Sequence, residues 1–442
     1  MKVLEPSLTD EALAQLERDT FNYFTAEMNE ENGLVPDNTR QGAPASIAVV
    51  GFALTAYAIG VERGYVSRTD AIRRALKSLR FFHDGEQGSG PDAIGYKGFY
   101  YHFLDMKTGK RVWKSEISTI DTTYLLAGAL TCALYFNRDT EDEREIRELA
   151  EALYARADWQ WARNGALTVS HGWKPETGFI RHRWNGYSEA LILYILGLAS
   201  PTFPLPQESY RAWTSTYKWK SLYGHEFVYA GPLFIHQLSH MWIDFRGIQD
   251  EYMSEKAIDY FENSRRAVYV QQAYAIRNPK KMMGYDRYTW GITASDGPGP
   301  AVRRVRGRTL RFYDYVARSI PYGPDDGTLA PWAIAASLPF APEVVLPSLA
   351  RINENYPEMT NEYGFKRSYN PTFTQSKSKG KGWVSEGYYG IDQGPIVMMI
   401  ENYRTGMLWR MMRRSPHIVN GLRRAGFHGG WLGDGPKAER GA

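Results

Sequence analysis

The chain has 442 residues, of which 43% are hydrophobic and 14% aromatic, and its formal net charge is +4. Because this charge is not gathered into a basic block, the sequence does not indicate nucleic-acid binding. The single cysteine, Cys132, excludes an internal disulfide, and the lack of a run of about 18 apolar residues argues against membrane insertion. The length allows two or three domains or one large closed fold.

The start of the chain bears on its location. Residues 1–17 contain no apolar segment of signal-peptide length and become charged at once. Taken alone, this start predicts a cytoplasmic protein, or a chain from which a signal has been removed.

Hydrophobic patterning predicts about twelve helices of two alternating kinds. Amphipathic, charged helices are predicted over residues 9–29, 67–84, 140–157, 207–216, 250–278 and 342–355. Helices that are apolar on all sides are predicted over residues 46–60, 119–137, 188–199, 232–245, 329–338 and within 388–410. Strand signals are confined to the connections, most clearly in a hairpin that turns at Thr108-Gly109.

This alternation has a direct structural solution. Six buried helices form an inner ring and six amphipathic helices wrap it, which gives an all-α (α/α)6 barrel with small β-hairpins in the inter-helix loops. We expect residues 1–442 to form this barrel as a single domain. A layered α fold without closure is the alternative, and no repeat of fixed period supports a solenoid.

The last apolar helix, within residues 388–410, carries charged residues as well. Asp392 is placed where an N-cap belongs, because its carboxylate can accept hydrogen bonds from free first-turn N–H groups. Glu401 and Arg404 are spaced to meet on one side of the helix, and since buried charges are costly alone we expect them to pair.

Acidic residues stand at or near the starts of the apolar helices. In the expected barrel these helices are parallel, so their N-termini open on one end. A single acidic residue at such a start is explained as a helix cap. Several carboxylates around one cleft repel each other, however, so at least one of them should have a raised pKa. A protonated carboxylic acid beside an ionised carboxylate is what glycoside hydrolysis requires. The acids are Asp121, Glu189, Asp325, Asp326 and Asp392, with Asp296 in the long loop on the same side.

The loops at that end are rich in aromatic residues. Aromatic side chains suit the C–H faces of sugar rings, and ordinary loop packing is the alternative for each of them. Asp296 and Asp326 are further candidates for subsite or proton-relay roles. The remaining candidate substrate-binding residues are Tyr100, Trp113, Trp173, Trp184, Tyr187, Trp290, Trp383 and Tyr388, together with Arg181 and His182.

Other catalytic signatures do not occur in the sequence. His236 and His240 in HQLSH are one helical turn apart, but Gln237 stands where HExxH has its glutamate, which favours core histidines over a metal site. There is no GxSxG, GxGxxG or GxxxxGK[ST] motif. We therefore predict neither a metal nor an organic cofactor.

Several long phrases of the sequence resemble one known family, glycoside hydrolase family 144, the glycoamylase-like family. The resemblance covers nearly the whole chain. The phrases are GFYYHFLD (98–105), SEISTIDT (115–122), NGYSEALILYILGLASPTFPL (185–205), HQLSHMWIDFRGIQDEYM (236–253), DYFENSRRA (259–267), GITASDGPG (291–299), DGTLAPWAIAASLPFAPE (326–343) and GIDQGPIVMMIENYRTGMLW (390–409).

The resemblance implies an (α/α)6 barrel and an inverting enzyme that acts on β-1,2-glucan, either as an endo-glucanase or as an exo-enzyme releasing sophorose. On the matching motifs, Glu189 is implied as the general acid, Asp392 as the base or a base-side relay, and Asp121 as a further acid of the cleft. Glu116, in the same motif as Asp121, is implied as substrate-binding. The family is usually exported, which implies a periplasmic or secreted protein.

The sequence as a whole predicts an inverting glycoside hydrolase whose partner is an oligo- or polysaccharide, with endo action on β-1,2-glucan favoured over exo action. A polysaccharide lyase on the same fold and a non-catalytic glucan-binding protein are the alternatives. Whether a loop blocks one end of the cleft decides between endo and exo action, and the loops over residues 85–118 and 357–391 are the candidates.

Overall fold

The structure is a computed structural model that describes residues 7–90, 92–374 and 382–433. The described residues are mainly helical, as expected. The α-helices are α1 Asp10–Ala26, α2 Ile47–Glu62, α3 Arg68–Asp84, α4 Thr119–Tyr135, α5 Glu141–Arg156, α6 Trp159–Ala162, α7 Leu191–Ala199, α8 Gln207–Thr214, α9 Glu251–Glu255, α10 Tyr260–Arg277, α11 Pro331–Ala335, α12 Pro342–Asn355, α13 Gly390–Arg404, α14 Met407–Met412 and α15 Pro416–Arg424. Short 3-10 helices cover Leu233–His236, Leu238–Met241, Pro357–Met359 and Gly430–Leu432.

The strands are short and lie in the connections. They are β1 Ala45–Ser46, β2 Gly95–Tyr96, β3 Phe99–Tyr101, β4 Phe103–Leu104, β5 Ile117–Ser118, β6 Gly172–Lys174, β7 Gly178–Phe179, β8 Trp219–Leu222, β9 His225–Val228, β10 Ala294–Ser295, β11 Ala301–Val305, β12 Arg308–Phe312, β13 Val316–Ala317, β14 Tyr369–Asn370 and β15 Trp383–Val384.

The apolar helices form the centre of the molecule. Helices α2, α4, α7 and α13 are buried along most of their lengths. Helix α2 packs between α4 and α13, α4 also contacts α7, and α11 also contacts α13. The two 3-10 turns over residues 233–241 join α7 to α11, because Ser239 accepts a hydrogen bond from Ile192 N and Gln237 donates to Ala333 O.

The amphipathic helices pack outside these buried elements. Helix α1 lies against α13 and α2, α3 against α2 and α5, α5 against α4, α12 against α11, and α15 against α7. Their predicted starts are accurate where a side chain caps the first turn, because Thr9, Ser67, Thr140 and Asp250 accept hydrogen bonds from first-turn N–H groups.

Several predicted helices are shorter or broken. Residues 232–245 form two 3-10 turns instead of one helix, and residues 250–278 divide into α9 and α10 where Ala257 has a φ of 54°. Residues 329–338 shorten to α11. The helix predicted within residues 388–410 divides into α13 and α14 at Gly406, which has a φ of 67°, and α15 follows them. Side-chain bonds such as that from Gln237 to Ala333 O replace regular helical bonds here, which hydrophobic periodicity does not report.

Helix α13 also differs in its charged residues. It begins at Gly390 with Tyr389 as its N-cap, so Asp392 lies in the first turn and does not cap it. Glu401 and Arg404 do not pair with each other. Glu401 binds Arg63 at the end of α2 at 2.6 Å, and Arg404 binds Glu17 of α1. Tertiary partners therefore replace the expected pair within the helix.

The predicted turn between strands is present, but the strands pair beyond a simple hairpin. Gly109 N donates to Asp105 O at 2.9 Å, which closes the turn. Across the turn Leu104 of β4 bridges Arg111, and β4 also pairs with β1. The next strands outward, β3 and β5, join a five-stranded antiparallel sheet in the order β2-β3-β5-β6-β7, in which Ile117 pairs with Trp173 from a distant loop. This sheet leads directly into α4. No helix in the described part of the chain is long and apolar enough to cross a membrane.

Candidate active site

One cavity of about 640 Å³ gathers acidic side chains from several distant segments. We refer to it as the acidic cavity. Its carboxylates come from Asp37, Asp121, Glu189, Asp296, Asp314 and Asp392. Its other lining residues are Asn38, Arg40, Ser46, His102, Phe103, Ile120, Tyr124, Phe234, Leu238, Ala294, Tyr315, Trp332, Arg367, Tyr389 and Ile391.

The starts of the buried helices bring the predicted acids together. Asp121 lies in the first turn of α4, Asp392 lies in the first turn of α13, and Glu189 precedes α7 by two residues. Asp296 follows β10 directly. The structure therefore brings these four predicted acids, three near helix starts and one in a loop, to the same cavity.

Glu189 reaches the cavity from a half-buried position. Burial raises the pKa of its carboxyl group, its own backbone N–H lowers it, and the nearby charge of Asp121 raises it, with a net value of about 7. A carboxyl group with this pKa retains a large protonated fraction near neutral pH, so Glu189 can donate a proton.

Asp392 is buried and unusually isolated. Neither of its carboxylate oxygens has a hydrogen-bond partner in the described residues, and the nearest cation is Arg367, with Nε 3.6 Å from Oδ2. Burial raises the pKa of Asp392, Arg367 lowers it, and Asp296 and Asp37 raise it, with a net value of about 8. Because unpaired buried carboxylates are costly, this geometry points to a polar ligand atom beside Asp392.

Arg367 links Asp392 to a second acid. Its guanidinium lies over the ring of Tyr389 at 4.1 Å and over that of Tyr315 at 5.3 Å. Its Nη1 is 3.7 Å from Asp296, which also accepts hydrogen bonds from Arg40 at 3.0 Å and from the Tyr389 hydroxyl. Asp296 is thus held by three partners, which suits a positioning role better than proton transfer.

His102 is a site residue that the sequence analysis missed. Its Nδ1 lies 3.1 Å from Glu116, and its Nε2 lies 3.6 Å from Asp121. Burial lowers the pKa of His102, but Asp121 and Glu116 raise it to about 9, so the ring is an imidazolium at neutral pH. Glu116 does not line the cavity, and its hydrogen bond with His102 lowers its own pKa to about 2. Glu116 therefore holds His102 in place.

Asp326 has a structural position instead of the predicted place in the cleft. It binds Arg318 at 2.7 Å, and both side chains are fully buried. Its neighbour Asp325 accepts hydrogen bonds from Tyr274 and Tyr285. Both acids belong to internal networks that fix the loop before α11, and neither lines the acidic cavity.

All eight predicted aromatic platforms also lie outside the lining. The buried ones have polar tips bound by the protein: Tyr100 donates to Phe82 O, Trp184 to Thr119, and Trp290 to Ser348, while Tyr388 accepts from Glu362 N. Tyr187 is packed against Tyr217, Tyr260 and His236. Trp173 and Trp383 are half-buried strand residues, and Arg181 and His182 are exposed in a loop.

Different aromatic and basic residues line the cavity in their place. They are His102, Phe103, Tyr124, Phe234, Tyr315, Trp332 and Tyr389, with Arg40 and Arg367. For one part of the cavity lining, the sequence contained a signal that could have been used. Asp37, Asn38 and Arg40 lie in the loop before the first apolar helix, which opens on the same end as the acids. Asn38 bridges to Tyr389 and Gly390 N donates to Asp37 O, so this loop borders the start of α13.

Metal ligation finds little support in the described residues, where no group of three or more His, Cys, Asp and Glu side chains is arranged to hold an ion. The histidines of HQLSH are buried. His240 Nε2 lies 2.9 Å from Ser264 Oγ, and burial lowers the pKa of His236 to about 4 and that of His240 to about 3. Both are neutral residues packed in the core.

A helical fold with a cavity that pairs a proton-donating carboxyl group with a buried carboxylate is typical of a glycoside hydrolase. The chain belongs to the glycoamylase family, whose model, described as "Putative glucoamylase", matches residues 181–416. The family resemblance of the sequence phrases is therefore confirmed.

Two solved structures are similar over nearly the whole chain. A "putative glucoamylase" from Bacteroides uniformis ATCC 8492 is 33% identical, with a TM-score of 0.85 over 97% of this chain and 100% of that one. The endo-β-1,2-glucanase from Chitinophaga pinensis, solved with sophorotriose and glucose, is 28% identical, with a TM-score of 0.82 over 95% of this chain and 98% of that one.

A curated relative is also similar. The exo β-1,2-glucooligosaccharide sophorohydrolase (non-reducing end) of Parabacteroides distasonis is 27% identical over 94% of this chain. The chain spans 58% of the length of that relative. All of the named activities are those of glycoside hydrolases.

Proposed function

We propose that the chain is a glycoside hydrolase that acts on β-1,2-linked glucan. The observation that carries this proposal is the set of unpartnered polar atoms in the acidic cavity: both carboxylate oxygens of Asp392, Nε of Arg367 and the hydroxyl of Tyr124 have no hydrogen-bond partner in the described residues. A sugar with its hydroxyl groups would satisfy them. The β-1,2-glucan activities of the Chitinophaga and Parabacteroides relatives support the substrate class.

In the proposed reaction, Glu189 protonates the glycosidic oxygen as the bond to the anomeric carbon breaks. Its raised pKa keeps a proton available near neutral pH. Asp392, after losing its own proton, accepts one from the water that attacks the opposite face of the sugar, directly or through a substrate hydroxyl. Attack from that face inverts the anomeric centre.

Asp121 and His102 support this exchange from the other wall of the cavity. Asp121 accepts a hydrogen bond from Ser118 at its helix N-terminus and faces the His102 imidazolium at 3.6 Å. Burial is the main cause of the raised pKa of Glu189, and the negative charge of Asp121 adds to it, so Asp121 helps to keep the general acid protonated. Asp121 thus serves as a positioning residue of the site.

We infer exo action, with release of sophorose from the non-reducing end. The sequence favoured endo action, but the curated relative is a sophorohydrolase. The endo-glucanase relative has a similar identity, so product analysis separates the two modes: exo action releases sophorose alone, and endo action gives a ladder of oligosaccharides.

The contacts among the buried elements also support the (α/α)6 barrel. Taken in order, α2, α4, α7, the 3-10 turns over residues 233–241, α11 and α13 each touch the next, and α13 touches α2 again. The amphipathic helices lie outside this closed series. We infer one domain, because a single core cluster includes residues from Leu13 to Leu432.

A polysaccharide lyase is a weaker alternative. The cavity contains tyrosine, histidine and arginine side chains, but it also presents six carboxylates. These would repel the uronate groups that a lyase substrate carries. A lyase would leave unsaturated products that absorb ultraviolet light, and this readout distinguishes it from a hydrolase.

The test is incubation with linear β-1,2-glucan and separation of the products, for the wild type beside Glu189→Gln. We expect wild type to release oligosaccharides and the variant to lose about 100-fold or more of kcat, because general acid catalysis contributes on this scale. Glu208→Gln, on the outer helix α8, is the matched control and should retain activity.

Early products read by NMR should be α anomers, since inversion of a β linkage gives them. An intact glucan after incubation with wild type would refute the proposed function, and β anomers would refute the inverting mechanism alone.

A further inference from the structure

A continuous aromatic surface leads from the acids of the cavity to the solvent. His102, which faces Asp121, stacks on Phe103 with ring centroids 3.9 Å apart and an interplanar angle of 14°. Phe103 contacts Trp113, with ring centroids 5.2 Å apart. His102 and Phe103 line the acidic cavity. Trp113 lies beyond the lining and is 70% exposed. Its indole is therefore the outer end of a path of three rings.

The backbone of Trp113 is in a conformation that bulky residues rarely adopt. Trp113 has a φ of 55° and the next residue, Lys114, a φ of 48°. Two consecutive left-handed residues without glycine cost conformational free energy, and such strain is concentrated at ligand-binding sites. Glycine would relieve it, so the presence of tryptophan requires another explanation.

The surrounding turn holds this strained segment firmly. Val112 N donates to Phe103 O at 3.2 Å, Ser115 N donates to Val112 O at 2.9 Å, and Arg111 Nε donates to Ser115 O at 2.5 Å. Arg111 also pairs with Glu176 at 2.7 Å. The indole itself contributes little packing, since most of its surface is in water. The turn thus presents an aromatic face to solvent beside the cavity.

We propose that Trp113 forms an outer sugar subsite that stacks against a glucosyl unit of the glucan beyond those held in the acidic cavity. This inference rests on the proposed function. A pyranose ring offers a C–H face that matches the face of an indole. An exposed aromatic ring at the rim of a cavity can therefore bind a sugar chain that extends out of the cavity. Trp113 thereby selects longer glucans over short oligosaccharides.

The test compares Trp113→Ala with wild type on sophorotriose and on linear β-1,2-glucan of about twenty units. We expect kcat/KM on the long glucan to fall about 5- to 10-fold through a higher KM, the scale of one aromatic contact, while kcat/KM on sophorotriose stays within about twofold. Trp113→Phe should retain part of the effect. Phe203→Ala removes an exposed aromatic residue just after the far end of α7 and should leave both substrates unaffected.

Two further measurements keep the outcomes distinct. Trp113→Gly should unfold at the same or a higher temperature than wild type, because it relieves the strained φ, yet it should bind long glucan as weakly as Trp113→Ala. Calorimetric titration of long glucan into Glu189→Gln, with and without Trp113→Ala, measures the subsite without turnover.

Equal losses on short and long substrates, or no loss on long glucan, would overturn the outer subsite while leaving the hydrolase proposal intact. A wild type that neither cleaves nor binds β-1,2-glucan would overturn both. Binding without cleavage would overturn only the proposed hydrolase activity. The difference in affinity between the proteins with and without Trp113→Ala would then still decide whether the outer subsite exists.

Discussion

Glu189 and Asp392 show how burial prepares side chains for chemistry. Burial is the main reason that their pKa values rise, to about 7 and about 8. The reaction requires Glu189 protonated and Asp392 ionised. This is one of the two forms of the pair that have lost a single proton, and it is the less populated one because Asp392 has the higher pKa. We therefore expect a bell-shaped dependence of kcat/KM on pH with a maximum between these two values.

The alkaline limb of this profile should depend on Arg367. The charge of Arg367 lowers the pKa of Asp392 from 3.6 Å away. In Arg367→Gln that charge is lost and the pKa of Asp392 rises, so the alkaline limb should move to higher pH by about one unit and the maximum should fall. Measurement of kcat/KM from pH 5 to pH 10 checks this. Arg351→Gln, which removes a surface partner of Glu354, should leave the profile unchanged, and a limb that moves to lower pH would contradict the assignment.

Asp392 also affects stability. Its pKa in the folded protein, about 8, is above the usual aspartate value of 3.8. The folded protein therefore keeps a proton on Asp392 that the unfolded chain releases at lower pH. The stability that this proton contributes is fully present below pH 3.8 and is lost as the pH rises through about 8. Asp392→Asn cannot ionise, so we expect it to unfold at a temperature a few degrees above wild type at pH 9 and to differ less at pH 5. Thermal melts of both proteins at pH 5 and pH 9 test this. A stabilisation by Asp392→Asn that is smaller at pH 9 than at pH 5 would contradict it.

At the scale of elements, two glycines set the distance between α2 and α4. A Cβ on Gly128 would lie 2.1 Å from Gly51 O, and a Cβ on Gly51 would lie 2.3 Å from Tyr124 O. The two buried helices thus meet backbone to backbone. Since α4 carries Asp121 and Tyr124 into the cavity, this close contact also fixes the position of one wall of the site.

Gly128→Ala should therefore destabilise the protein by about 1–3 kcal/mol, since the added methyl group forces the two backbones apart. The free energy of unfolding in guanidinium chloride measures the loss. Gly88→Ala is the matched control, because a Cβ there meets nothing closer than 3.9 Å. If the two variants were equally stable, the helices would not be held at this distance by their glycines.

At the scale of the whole molecule, the first and last buried helices are neighbours. Helix α13 packs on α2, and the loop over residues 37–40 borders the start of α13. The acidic cavity therefore draws residues from Asp37 to Asp392 and is incomplete without either end of the chain. Such closure makes every part of the ring depend on its neighbours.

The proposed closed barrel with one core should unfold cooperatively. We expect a single calorimetric transition with equal calorimetric and van't Hoff enthalpies, shifted as a whole by Gly128→Ala. Two separate transitions would contradict the single domain and would place a boundary within the described residues.

The sequence by itself determined the helices and the acids at their starts. Apolar periodicity and capping side chains such as Ser67 and Thr140 act over a few residues, so they can be identified without a structure. Asp121, Glu189 and Asp392 were found because each lies at or near the beginning of an apolar helix. Their side chains meet because the starts of those helices border one cavity.

Only the tertiary structure decided which polar and aromatic side chains face the cavity. Trp290 and Trp184 lie in the loops that the sequence singled out, yet internal hydroxyl groups bind their N–H groups. Arg367 and His102 reach Asp392 and Asp121 from segments outside the helices that carry those acids. Whether a side chain binds substrate or the protein depends on partners distant in sequence, and no local pattern of residues contains that information.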